Sequence, residues 1–149
     1  MRLRPYRSDD WAAVCQIYNL AKPDELLGAV ELSAILPLEA DPDMQALFRG
    51  SEVFVAFDSE RIAGFGGSRG SFITWLFVHP SFRRKGIATA LVRFMLGRLK
   101  EPVTLNVMSN NASARALYEG IGFSVVREFQ GNFQGNPCSI AKLSYETAA

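Results

Sequence analysis

Histidine and cysteine are almost missing from this chain: His79 is the one histidine, and Cys15 and Cys138 are the two cysteines among 149 residues. So few, so widely spaced, they cannot supply the ligand set of a zinc cluster or a disulfide framework, and no metal is expected. Cys15 falls among apolar residues at helical spacing, where a thiol packs as a small hydrophobe. Net charge is nearly missing as well. Sixteen Lys and Arg against fifteen Asp and Glu leave a formal +1, which gives no general attraction for nucleic acid or an anionic membrane, so neither is an expected partner. Any anion site has to be local. Long apolar runs are lacking too: FITWLFV at 72–78 is far short of the roughly 20 residues that cross a bilayer as a helix. The first residues, MRLRPYRSDDW, are charged from the second onward and carry no apolar segment of signal-peptide kind, which makes a cytoplasmic protein the expectation.

What is present reads as one folded domain over residues 1–149. Hydrophobic residues make up 48% and charged residues 21%, an ordinary globular balance. A chain of this size buries roughly 70% of its unfolded surface, enough for a real core. A short strand at 2–6 precedes a helix capped by Ser8 or Asp9, with Asp10 in its first turn and Val14, Ile17, Tyr18 and Ala21 along one face. Over 24–49, LLGAVELSAIL and MQALF look helical but Pro37 and Pro42 interrupt them, giving two short helices and a loop. EVFVAF, RIAGFGG and SFITWLFV then form three antiparallel strands, and Gly64, Gly66 and Gly67 invite close approach of another backbone to the middle one. A helix from about 86 to 99 follows, carrying Ile87, Ala90, Leu91, Phe94, Met95 and Leu99 on one face. PVTLNVM at 102–108 is the next strand. Strand, helix and strand make a βαβ unit, so 71–78 and 102–108 are expected to run parallel. A helix over ASARALYEGI and strands at 123–129 and 138–145 complete a mixed α/β (α+β) fold with an antiparallel and parallel central sheet.

Between the strand ending at Val78 and the helix beginning near Gly86 stand three consecutive cations, Arg83, Arg84 and Lys85. A helix start offers unpaired N–H groups and the positive end of the dipole to an anion. Gly86 and the small Ala88 let that anion come close, while the cations add formal charge. A solvated basic turn is the alternative for RRKG by itself. No G-x-x-x-x-G-K-[ST] pattern occurs, so a P-loop is excluded.

VHPSFRRKGIATALV resembles the pyrophosphate-loop segment of the GCN5-related N-acetyltransferases (GNAT), [RQ]-x-x-G-x-[GA] after a strand ending in V-x-P, with Arg83, Gly86 and Ala88 at the matching positions. LNVMSNNASARALYEGIGF is similar to the family's next segment, a strand followed by N-x-x-A-x-x-L-Y and G-F, matched by Asn111, Ala114, Leu117, Tyr118, Gly122 and Phe123. Together the two segments cover 72–126. The resemblance implies the GNAT fold, with the two parallel strands splayed apart and coenzyme A between them. It assigns the pyrophosphate to backbone amides of residues 83–88, that is Arg83, Arg84, Lys85, Gly86, Ile87 and Ala88, and the pantetheine arm to backbone groups near Phe77 and Val78. Asn111 bonds that arm, caps the helix at 112–121, or does both. Tyr118 points its hydroxyl at the sulfur and protonates the departing thiolate, or is a core tyrosine at helical spacing with Leu117 and Ile121.

The activity so implied is acetyl transfer from acetyl-CoA to an amine of a small molecule or a protein, directly in a ternary complex, by a chain that can also form a homodimer. The resemblance gives the Val78 amide, freed by a bulge, to the oxyanion. A base has no obvious owner. Asn106 stands where some protein-acetylating members have a glutamate, so His79, Glu31 or ordered water are the options, and a non-catalytic acyl-CoA-binding domain is the alternative function. The acceptor site is expected at the N-terminal helices and the GNFQGNP loop before the last strand. Asp24, Glu25, Glu31, Glu39, Asp41 and Asp43 would draw a cationic amine there, unless they form a solvated acidic lid.

Overall fold

The structure is a computed structural model that describes residues 1–26, 35–133 and 135–147. One seven-stranded sheet, ordered β1-β2-β3-β4-β5-β7-β6, carries helices on both faces. Its strands are β1 (Arg2–Pro5), β2 (Glu52–Asp58), β3 (Arg61–Arg69), β4 (Phe72–Val78), β5 (Val103–Met108), β6 (Ser124–Phe133) and β7 (Asn136–Tyr145). The helices are α1 (Trp11–Leu26), α2 (Pro42–Arg49), α3 (Ile87–Leu96) and α4 (Ala112–Ile121). Every neighbouring strand pair is antiparallel except β4 and β5, which are parallel as the βαβ reading requires.

The apolar periodicity sorts the helices onto the two faces. Val14, Ile17, Tyr18 and Ala21 of α1 and Phe48 of α2 pack on Val55, Phe65, Trp75 and Phe77. On the other side Val92 and Met95 of α3 and Tyr118 of α4 cover Ile73, Leu105 and Leu143, while Ile87 and Leu91 meet Ala56 and Ala63. Gly64 permits the second layer to close. A Cβ there would stand 2.9 Å from the Phe77 carbonyl and 3.1 Å from Ile87 Cγ2, closer than a methyl group can sit without displacing the backbone.

Two details differ from the sequence reading. Pro42 does not interrupt a helix but begins α2, with Asp41 as N-cap accepting from the Met44 N–H at 3.2 Å, because proline at the first position sacrifices no helical hydrogen bond. GNFQGNP is not a broad loop: Gly131, Asn132 and Phe133 end β6 and Asn136 opens β7, with Gly135 in the left-handed region at φ +84°. LLGAVELSAIL lies mostly outside the described residues.

The start of α1 is held by Asp10 rather than by Ser8 or Asp9. The Asp10 carboxylate, 3% exposed, accepts two bonds from the Arg4 guanidinium at 2.8 and 2.9 Å and one from the Arg7 N–H at 2.8 Å. The bonds from Arg4, more than the one from Arg7, hold its pKa below the usual carboxylate value against the opposing effect of burial. We expect Asp10→Ala to lower unfolding free energy at neutral pH by about 1–2 kcal/mol, the scale of a lost cap and a charged hydrogen bond. A depressed carboxylate stabilises the fold above its unfolded pKa and loses that contribution as pH falls through the folded one. Urea midpoints of wild type and variant should therefore converge in acid.

Candidate active site

β4 and β5 are paired only at their beginning, where Phe72 faces Thr104 and the Thr104 N–H donates to the Ser71 carbonyl at 3.0 Å. Beyond that point they diverge around a cavity of about 570 Å³. Its walls are the free edges of both strands, the end of α1, and the beginnings of α3 and α4. The sheet itself turns donors toward it. The His79 N–H donates to the Ala63 carbonyl at 2.8 Å, so Val78 and Gly64 form a non-hydrogen-bonded antiparallel pair, and alternation puts Leu76 with Gly66 in the same class. The backbone groups of Leu76 and Val78 therefore face the gap, whereas the Phe77 amide is spent on Phe65.

This corrects two expectations. The Phe77 amide faces β3, although the residue lines the cavity; Leu76 is the residue missed, through a register that no local sequence signal sets. Nor does a bulge free Val78. The register slip falls between Gly67 and Ser68, opposite which Thr74 is the extra residue of β4. Thr74 is tied by its hydroxyl to Ser51 Oγ at 2.8 Å. The bulge puts Ile73 on the same face as Leu76, so Ile73 packs against α3 while Trp75 and Phe77 pack against α1.

At the mouth, Gly86 is the N-cap of α3 at φ +77° and provides no side-chain cap, leaving the first-turn N–H groups of the helix as open donors. A Cβ built on it meets nothing within 4 Å. Arg84, also at positive φ (+64°), and Ala88 line the cavity. The three cations divide their work. Arg83 pairs with Asp24 of α1 at 2.7 Å and Lys85 with Asp58 at 2.8 Å, while Arg84 has no carboxylate partner among the described residues. Lys85 does not line the cavity, and the Ile87 side chain is buried under β3. The open space, outward amides and helix start fit a phosphate-bearing chain better than they fit a folded-over side chain. The hollow beside Tyr6, Trp11 and Phe48 is larger, about 930 Å³, but the helix start it reaches, that of α1 at Trp11, is held by Asp10.

Asn111 caps α4, its Oδ1 accepting from the Ala114 N–H at 3.2 Å, and it also lines the cavity. Tyr118 is 7% exposed and lines the cavity from α4, its ring edge-on to Phe123 at 5.5 Å. Burial, helped by the Glu25 carboxylate, pushes its pKa well above the ordinary tyrosine value, so the hydroxyl keeps its proton. His79 does not reach this cavity. Its Nδ1 accepts from the Ser81 N–H at 3.0 Å and its ring packs on Phe82 at 5.5 Å. Of the acidic segment only Asp24 and Glu25 line the cavity, and Glu31 lies outside the described residues. Glu39 instead bonds Asn19 Nδ2 at 2.7 Å and Asp41 caps α2. The sequence reading passed over Lys22, buried on the same wall with its Nζ 3.4 Å from Glu25 Oε1; a lysine one turn before a glutamate on an otherwise apolar helix face is the signal that marks it. Among the described residues no cluster of His, Cys, Asp and Glu is placed to hold a metal, and no helix is long and apolar enough to cross a membrane.

The profile of the Acetyltransferase (GNAT) family matches residues 10–123. An acetyltransferase of Pectobacterium atrosepticum is 30% identical over 130 residues, covering 85% of this chain and 89% of that protein. Among solved structures, a GCN5-related N-acetyltransferase from Rhodopseudomonas palustris superposes with a TM-score of 0.81 at 18% identity, covering 98% of this chain and 95% of the other. A protein from Salmonella typhimurium holding acetyl-CoA as its cofactor gives 0.72 at 20% identity, covering 100% and 96%. Profile, sequence relative and splayed sheet agree: the chain belongs to the GNAT family of acetyltransferases.

Proposed function

We propose that this protein transfers an acetyl group from acetyl-CoA to an amine by direct attack within a ternary complex. The observation that carries it is the separation of β4 from β5 with the Leu76 and Val78 backbones turned into the gap, in line with the uncapped start of α3. Bound acetyl-CoA supplies a thioester whose carbonyl accepts the amine and whose thiolate leaves. The chain's residues do the rest. The amides at the start of α3 and the Arg84 guanidinium hold the pyrophosphate. Backbone groups of Leu76 and Val78, with Asn111, hold the pantetheine arm as a strand edge holds a peptide. An inward N–H of β4, Val78 in the reading taken from the family, meets the oxyanion. Tyr118 keeps its proton for the sulfur, and Glu25, on the cavity wall opposite, takes the proton of the amine. An acceptor arriving as an ammonium gives its first proton to Glu25 before attack; the new C–N bond then replaces the C–S bond, Tyr118 gives its proton to the sulfur, and the second nitrogen proton restores Tyr118.

Glu25 answers the missing carboxylate at Asn106, which was the ground for a non-catalytic domain. Calorimetric titration with acetyl-CoA and thiol release across a panel of amines test the proposal; no heat of binding, or no release above background with any amine, overturns it. We further expect Glu25→Gln to lower kcat by about a hundredfold or more, since the proton acceptor is gone and solvent has to replace it. A variant with normal turnover would remove Glu25 from the role.

A further inference from the structure

The buried charge that acetyl transfer leaves unused is Lys22. Its ammonium stands where α1, β4 and the β6–β7 hairpin converge, with 8% of the side chain exposed. Three rings surround it, Phe133 at 5.0 Å, Phe77 at 5.6 Å and Tyr18 at 5.8 Å from Nζ to centroid. Ring faces offset part of the cost of desolvating an ammonium. They do not satisfy its three N–H donors. Among the described residues its charged partner is Glu25 Oε1 at 3.4 Å, well beyond the roughly 2.7–2.9 Å of a good charge-assisted bond. Glu25 is itself part-exposed to the cavity, so the pair is loose on both sides.

Two opposite charges therefore line one end of the cavity, each incompletely satisfied by the other. The nearby Asp24 carboxylate does not alter this balance, because Arg83 holds it at 2.7 Å. A simple cationic amine entering here meets the Lys22 ammonium as well as Glu25. A simple carboxylic acid meets Glu25 as well as Lys22. A molecule carrying both groups is matched charge for charge, and buried charges are tolerated when they are matched. This departs from the expectation that the acidic segment alone recruits a cation.

We propose that the acceptor is an amino-acid-like zwitterion, with Lys22 binding its carboxylate and Glu25 receiving its amine, so that the product is an N-acetylated amino acid. The proposal rests on the acetyl-transfer reading and narrows it to a substrate class. Lys22 acts as a specificity determinant at this site and takes no part in bond making.

The test compares ligands that differ only in that carboxylate. Pools of N-acetyl amino acids and matching pools of their carboxamides are titrated calorimetrically into coenzyme A-saturated protein, and free amino acids and their amides are compared by thiol release with acetyl-CoA. At least one acid should bind and react about tenfold to a hundredfold better than its amide, the scale of one hydrogen bond to a charged group. Lys22→Met and Lys22→Gln should both erase the difference while acetyl-CoA affinity is kept, and Lys22→Arg should preserve most of it. The comparison in the wild type needs no variant to fold. Equal binding of acid and amide, binding of neither, or a preference that survives Lys22→Met overturns the proposal. If acetyl-CoA binds normally in those experiments, only the acceptor class falls. If acetyl-CoA does not bind, the acetyl-transfer reading falls first.

Discussion

Tyr118→Phe is expected to lower kcat by roughly 10²- to 10⁴-fold, the range for lost general-acid catalysis and equivalent to about 2.7–5.4 kcal/mol of barrier. The substitution removes one oxygen from a ring held among Ile73, Leu105 and Phe123, so the fold and most of the coenzyme A affinity should remain. The raised pKa sets the sign of the pH dependence. Tyr118 is protonated throughout the neutral range, and wild-type turnover should decline only as pH rises past the usual tyrosine value, a limb that the phenylalanine variant lacks. A purely structural tyrosine behaves otherwise, costing about 1 kcal/mol of stability and little turnover. Measuring kcat and the urea midpoint on the same variant separates them, and a destabilised protein with near-normal turnover would end the catalytic assignment.

Gly86→Glu should abolish measurable acetyl-CoA binding while leaving a folded protein. The position sits at φ +77°, so any L-residue is strained by about 1–2 kcal/mol. That is tolerable here, because the added Cβ meets no protein atom within 4 Å and a helix start favours an acidic side chain. The space it enters is the space that the proposed reading gives to the pyrophosphate. Like charge at close range costs several kcal/mol, so the dissociation constant should rise by about a hundredfold or more. Gly86→Ala supplies the same backbone strain without the charge and should keep most of the affinity. Calorimetry on both, beside thermal unfolding, makes the comparison, and unchanged affinity in folded Gly86→Glu would take the pyrophosphate away from this turn.

Much of the molecule follows from local pattern. The spacing of Val14, Ile17, Tyr18 and Ala21 gives the buried face of α1, and the strand, helix and strand over 71–108 give the parallel pair. Asn111 caps α4 as its position after β5 suggests. The RRKG turn, with Gly86 in a left-handed conformation, lies between β4 and α3 as read. These succeed because helix periodicity, caps and positive φ are set by residues within one or two turns of each other.

What the sequence alone determined, then, is the order of elements, the faces of the helices and the family resemblance carried by residues 72–126. Tertiary structure decided which groups meet. The inward direction of the Leu76 and Val78 backbones depends on the register of β4 against β3, and a shift of one residue would reverse it. The placement of Thr74 as the bulged residue depends on the same register. His79 was a candidate base by its chemistry, but the turn after β4 commits its ring to Ser81 and Phe82. Lys22 was passed over and Glu25 was grouped with the acidic segment; both face the cavity because α1 ends over the gap between β4 and β5, where Phe133 from the other end of the sheet also meets Lys22. The His79 turn and the Lys22–Glu25 pair are local contacts; what joins residues far apart is the register of β4 on β3 and the arrival of Phe77 and Phe133 at Lys22, and its physical cause is the packing of two layers on one sheet, which no local pattern encodes.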